Sequence, residues 1–175
     1  IKYYVSGDYS YQEPMYRNTV FNYNTYQVRS NIDAQVSKNL KIGVDLDGRK
    51  ERRNMGIFDS DEIFWETTNA YPYLYDYYPN GLPGPGINQG NNPALLVSGK
   101  DTGYDKVDDY FVNSKFTFDL KLPWITEGLS LSGYGAFNFH FRNEKYLIDV
   151  WDTYHYDPTT QDYIKQTTNP KGGTI

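Results

Sequence analysis

Tyr26-Gln-Val-Arg-Ser-Asn-Ile-Asp-Ala-Gln-Val-Ser-Lys-Asn-Leu-Lys-Ile-Gly-Val-Asp-Leu-Asp47 decides the fold class. Tyr26, Val28, Ser30, Ile32, Ala34 and Val36 fall on one side of an extended chain. Gln27, Arg29, Asn31, Asp33, Gln35 and Ser37 fall on the other. After the polar turn Ser37-Lys38-Asn39, the pattern resumes: Leu40, Ile42, Val44 and Leu46 alternate with Lys41, Gly43, Asp45 and Asp47. A period of two is the signature of a strand with two unlike faces. Two such runs joined by a tight turn form an antiparallel pair.

The same alternation extends in both directions. Upstream, Tyr3, Val5, Gly7, Tyr9 and Tyr11 alternate with Lys2, Tyr4, Ser6, Asp8 and Ser10. Downstream, Val112, Ser114, Phe116, Phe118, Leu120 and Leu122 alternate with Asn113, Lys115, Thr117, Asp119 and Lys121. A short turn over residues 123–128 follows. Then Leu129, Leu131, Gly133, Gly135, Phe137, Phe139 and Phe141 alternate with Ser130, Ser132, Tyr134, Asn138, His140 and Arg142, in a strand that can run past Glu144. The expected strands are 2–12, 25–37, 39–51, 109–122 and 128–143. The turns near Lys38 and Trp124 are tight, whereas the connections at 14–24, at 54–107 and after Tyr146 are long. Short and long connections therefore sort by strand direction, the loop pattern of a transmembrane barrel with short periplasmic turns. The polar face (Arg29, Asp33, Lys41, Asp45, Asp47, Lys115, Asp119, Lys121, His140, Arg142) is too charged for a packed core and faces water, in a lumen or in bulk solvent. The apolar face meets lipid or a second protein layer. Tyr9, Tyr11, Tyr26 and Phe141 lie near strand ends, where aromatic girdles sit.

Composition agrees with a sheet of this kind. Aromatics make up 18% of the 175 residues, with 19 Tyr, yet hydrophobic residues reach only 38% and mean hydropathy is −0.74. Barrel walls dilute their apolar face with a polar one, which gives a weak hydropathy signal. No cysteine is present, which excludes a disulfide framework, a thiolate nucleophile and a thiolate zinc site. No run is apolar enough for a transmembrane helix, and no signal peptide is recognisable. The strand pattern at Ile1 and the loop-like Lys171-Gly-Gly-Thr-Ile175 suggest cuts within a longer protein, and such a segment is not expected to fold alone. A charge of −5 without a basic cluster argues against nucleic-acid binding.

The 54–107 connection is long enough to expect a role of its own. Asp59-Ser-Asp-Glu62 before Ile63, Phe64 and Trp65 predicts one short helix to about Asn69. The Tyr-, Pro- and Gly-dense run Tyr71–Gly86 predicts rigid turns without regular structure. Trp65, Tyr71, Tyr73, Tyr75, Tyr77 and Tyr78, with Asn80, either stack on sugar faces or a partner, or pack the loop against itself. The lumen-facing charges either line a substrate route or serve solvation and ion pairing. Asp45-Leu-Asp47-Gly48 lacks the downstream ligands of a calcium loop. Asp152, His155 and Asp157 are too loosely spaced to indicate a metal. No carboxylate pair stands out for hydrolysis. No metal, cofactor or enzymatic activity is expected.

Four stretches together resemble the SusC-like (RagA-like) TonB-dependent transporters of Bacteroidota. They are Tyr3-Tyr-Val-Ser-Gly-Asp-Tyr-Ser-Tyr-Gln-Glu13, Tyr26 to Leu40 as quoted above, Tyr77-Tyr-Pro-Asn-Gly-Leu-Pro-Gly-Pro-Gly86, and Leu122-Pro-Trp-Ile-Thr-Glu-Gly-Leu-Ser130. Their order agrees as well. The resemblance implies an all-β segment of about five to six strands, near the start of a barrel of about 22 strands with a plugged lumen. It implies the outer membrane of a Gram-negative bacterium, with strands 2–12, 39–51 and 128–143 running outward. The implied partners are a SusD-like surface lipoprotein over the outer face, TonB with ExbB and ExbD acting through the plug, and an oligosaccharide or peptide substrate. A siderophore receptor is the alternative barrel, and a soluble carbohydrate-binding β-sandwich is the alternative outside membranes.

Overall fold

The computed structural model describes residues 1–87 and 91–168. The loop reading of Lys171–Ile175 lies outside the described residues. The chain is mostly antiparallel β-sheet. Seven strands and two helices run in the order β1 (Lys2–Gln12), β2 (Asn22–Gln35), β3 (Leu40–Met55), α1 (Ser60–Asn69), α2 (Pro93–Ser98), β4 (Gly103–Lys121), β5 (Ser130–Ile148), β6 (Asp152–Asp157) and β7 (Asp162–Thr168). The first five strands form one sheet in sequence order, and β6 pairs with β7 in a second. No closed barrel is seen among the described residues.

The chain divides into two compact units. The first comprises 1–11, 24–52 and 108–143; the second comprises 12–23, 53–107 and 144–175. Both tight turns fall in the first unit and all three long connections in the second. In the first turn, Ser37 Oγ accepts from the amides of Asn39 and Leu40 at 3.2 and 3.1 Å, and Val36 N donates to Leu40 O at 2.9 Å. In the second, Leu122 N donates to Leu129 O at 2.9 Å, and Gly128 takes φ +83°, which glycine adopts without a Cβ clash.

In the first unit, Gly43 is the single buried residue among those described. Val28, Ile32, Leu46, Val112, Phe116, Leu131, Phe137 and Phe139 are all more than 40% exposed, Phe137 reaching 63%. The alternation is real, but among the described residues no second layer buries the apolar face.

The second unit has a conventional core. Phe58, Ile63, Leu95, Leu96 and Trp151 are buried together, with Tyr16, Phe21, Ile57, Val97 and Ile148 packed against them. Phe58 meets Trp151 edge-on, with ring centroids 5.5 Å apart. The expected first helix is present, with Asp59 as N-cap accepting from Glu62 N at 2.8 Å. The expectation of a single loop helix is corrected, because α2 is a second one. Asn92 caps its start, Pro93 supplies a preset φ at the first turn, and Gly99 ends it at φ +62°. The connection after Tyr146 also holds the unforeseen β6–β7 hairpin; β3 and β4 run longer than their alternation suggested, and β5 runs past Glu144 as expected.

Candidate functional site

The polar face of the five-stranded sheet is tied together by cross-strand contacts. Gln27 and Arg29 of β2 donate to Asp47 of β3 at 2.6 and 3.3 Å, and Asn113 of β4 donates to the other oxygen of Asp47 at 3.4 Å. Asn31 donates to Asp45 at 2.8 Å. Lys41 stands 3.8 Å from Asp33. The Lys115 ammonium lies 5.8 Å from the Tyr134 ring centre. Asp119 is exposed, with no ion-pair partner among the described residues.

Farther from the tight turns, Asp109 of β4 gathers two β5 side chains. Arg142 donates to it from Nε at 3.1 Å, and His140 Nε2 lies 2.8 Å away. Phe111 sits between the neighbouring strands' side chains, with the Arg49 guanidinium 4.6 Å from its centre and the His140 ring stacked parallel at 4.5 Å. Arg49 Nε is 3.0 Å from Glu51 but lacks hydrogen-bond alignment, so that contact is an ion pair only. In the two arginine pairs the carboxylate is the better-covered partner: Arg29 is 55% exposed against 21% for Asp47, and Arg142 50% against 14% for Asp109. Half-exposed pairs contribute about 0–1 kcal/mol each. Their main effect is to hold strand register and offer water a continuous polar surface. Asp109, Arg49, Gln27, Asn31 and Asn113 were not singled out in advance. Alternation places all five on the polar face, and only the register decides which of them meet.

The tyrosine-rich loop of the second unit is a folded frame. Asn92, buried to 1% exposure, donates from Nδ2 to the carbonyls of Asp76 and Gly84 at 2.8 and 3.0 Å, and its Oδ1 accepts from Ala94 N at 2.9 Å. A Cβ on Gly84 would collide with the Tyr75 carbonyl, so the two backbones approach as only glycine permits. Tyr78 is 9% exposed. It packs against Tyr75 at 5.3 Å and Tyr163 at 4.9 Å, and its hydroxyl accepts from Tyr156 N at 3.2 Å. Asn80 Oδ1 accepts from Leu82 N at 3.1 Å, fixing the Tyr-Pro-Asn-Gly turn. Tyr78 and Asn80 thus hold the loop from within.

The other rings face outward. Tyr71 and Tyr73 stack at 5.4 Å with an interplanar angle of 7°, and Tyr73 is 73% exposed. Trp65 lies exposed on α1, and Tyr75 and Tyr77 are exposed as well. Tyr71, Leu74, Tyr75, Tyr77, Pro85 and Ile87 help line a cavity of about 530 Å³. That size lies within the range of small-molecule sites. The frame residues Asn92, Gly84 and Pro93 were not anticipated as supports of this cavity, although Asn before Pro followed by Gly99 is a readable helix start and stop.

Among the described residues, no group of three or more His, Asp or Glu side chains is arranged to hold a metal. Asp157 instead accepts from Thr159 N at 2.8 Å and from Thr160 Oγ1 at 3.1 Å, and Asp152 pairs with Lys165 at 2.9 Å. Among the described residues, no helix is long and apolar enough to cross a membrane. Comparisons with protein-family models, curated proteins and solved structures found no match.

Proposed function

We propose that this chain is a wall and outer-loop segment of an outer-membrane β-barrel, in an active transporter of SusC-like type. The observation that carries the barrel reading is the apolar face of the five-stranded sheet. It is largely exposed, with no residue of the face buried among those described, and bounded at a definite height. From Tyr26 on β2 to Val36 just past its end, and from Tyr110 to Leu120 on β4, the apolar run spans about ten residues, or ~33 Å along the strand. At a tilt of about 40°, that is ~25 Å, the height of a lipid-facing band.

Aromatic pairs mark one edge of this band. Tyr9 and Tyr26 lie 5.0 Å apart, and Tyr110 and Phe141 6.1 Å apart. Sorting of the connections by side supports the same reading. The transport function follows from the resemblance and from the aromatic-lined cavity in the long loops. In this role, the polar face lines the lumen around a plug, and the loop rings meet an oligosaccharide or peptide beneath a SusD-like lid. TonB, with ExbB and ExbD, supplies the energy. The segment makes and breaks no covalent bond. A carbohydrate-binding sandwich needs a second sheet over Phe116, Phe137 and Phe139, and these rings are exposed.

Site-directed fluorophore labelling on the two faces of β5 gives a direct test. Single variants Phe137→Cys and Asn138→Cys carry a fluorophore in the full-length protein reconstituted with brominated lipid. Strong quenching at 137 and little at 138 is the expected result. Equal quenching at both positions would falsify the wall reading.

A further inference from the structure

The apolar face of the first unit carries three charged side chains between residues 24 and 143, and all three sit together. Alternation places Lys50, Arg52 and Asp108 on the same face as Val28, Leu46, Val112 and Phe139. Arg52 grips Asp108 through two hydrogen bonds, 2.8 Å from Nε and 3.2 Å from Nη2. The Lys50 ammonium stands 3.9 Å from the same carboxylate and 4.9 Å from the centre of the Tyr110 ring. It makes no hydrogen bond among the described residues. Two cations thus surround one carboxylate, leaving a net positive charge. The group lies at the end of β3 far from its tight turn, beside Tyr110, whose other ring neighbour is Phe141.

Charged groups facing hydrocarbon are costly, and long cationic side chains near the edge of a span reach toward the headgroups instead. Lys50 and Arg52 occupy that edge, with donors still to be filled. Resting on the wall reading above, we infer that Lys50 and Arg52 form a contact site for the phosphate of an anionic lipid headgroup in the outer leaflet. Arg52, its Nε and Nη2 held by Asp108, presents its remaining Nη donors, and Lys50 adds a point charge raised on the Tyr110 ring. Tyr110 and Phe141 mark the depth at which the acyl chains begin.

The test uses the full-length protein in detergent, with bisphosphorylated lipid A as the probe and thermal stabilisation and native mass spectrometry as readouts. Wild-type protein is expected to bind lipid A. The double variant Lys50→Gln, Arg52→Gln should bind it roughly thirtyfold more weakly, at about fivefold per charge. Lys115→Gln, on the polar face, should bind as wild type does. Inorganic phosphate alone should produce no stabilisation.

Unchanged lipid A binding in the double variant overturns the assignment. So does full stabilisation by free phosphate, which would mean a soluble-anion site. Should the double variant fail to insert, Lys50→Gln alone is read the same way, because it breaks no hydrogen bond. Brominated-lipid quenching at residue 137 separates the two hypotheses. If quenching persists while lipid A binding is indifferent to these charges, this site fails alone. If quenching is absent in the otherwise unaltered protein, the wall reading fails with it.

Discussion

Asn92 shows how one side chain can hold a whole loop. Its amide donates to two carbonyls from separate parts of the tyrosine-rich stretch, while its oxygen caps α2. Asn92→Ala removes the cap and takes the side-chain donor from the Gly84 carbonyl, whereas the Asp76 carbonyl keeps the Gly84 amide at 3.0 Å, and the change should cost about 2 kcal/mol. Asn92→Asp keeps an acceptor for the cap but turns a buried carboxylate toward two carbonyl oxygens. It should be at least as damaging, although Asp is a good N-cap in isolation. Limited proteolysis between Tyr71 and Gly86 reads both effects, and an Asp variant as resistant as wild type would refute this account. Gly84 belongs to the same frame. The sequence left open which loop rings stack outward and which pack inward. Trp65, Tyr73, Tyr75 and Tyr77 are exposed and Tyr78 turns inward, and adjacent tyrosines in irregular backbone follow no period that assigns them to a face.

Among the elements, the β6–β7 hairpin shows what local chemistry controls. Its turn is held by Asp157, whose carboxyl is kept below the usual carboxylate range chiefly by the Thr159 amide, with the Thr160 hydroxyl adding to the effect and desolvation opposing it. A depressed folded pKa means that the stabilisation is present above the ordinary carboxylate value. It is lost as pH falls through the depressed one, so the window lies below about pH 4. The Thr159 amide should exchange faster and lose its downfield shift on acidification through that window, and Asp157→Asn should abolish the dependence. An unchanged Thr159 resonance down to the acid limit would contradict this. The hairpin itself escaped the sequence reading because β6 and β7 are short, with six and seven residues, and lack the clean apolar alternation of the long strands. β2 and β3 were readable for the opposite reason: each repeats its two-faced pattern over several residue pairs.

At the scale of the molecule, the two units bury their apolar groups differently. The second encloses Phe58, Ile63, Leu95, Leu96 and Trp151. The first leaves Phe116, Phe137, Phe139 and Phe141 exposed, and strand edges with a bare apolar face pair with other chains in water. Residues 1–175 should therefore aggregate after refolding in plain buffer, and give dispersed β-structure only with detergent or lipid. Circular dichroism with light scattering measures both. A cooperatively melting β monomer in buffer alone would remove the basis for a lipid-facing wall and favour a soluble sheet.

The sequence by itself determined the antiparallel strands, their two faces, the tight turns and the first loop helix. Each of these rests on local rules: period two, turn chemistry, and capping by Asp59. Tertiary structure decided which polar groups meet, since Asp47 and Asp109 each gather partners from neighbouring strands through a register that no short stretch encodes. It also decided which tyrosines turn inward, and it brought Lys50, Arg52 and Asp108 to one spot on an otherwise apolar face. Those outcomes depend on pairing residues far apart in the chain, and alternation specifies the face of a side chain but not its neighbour.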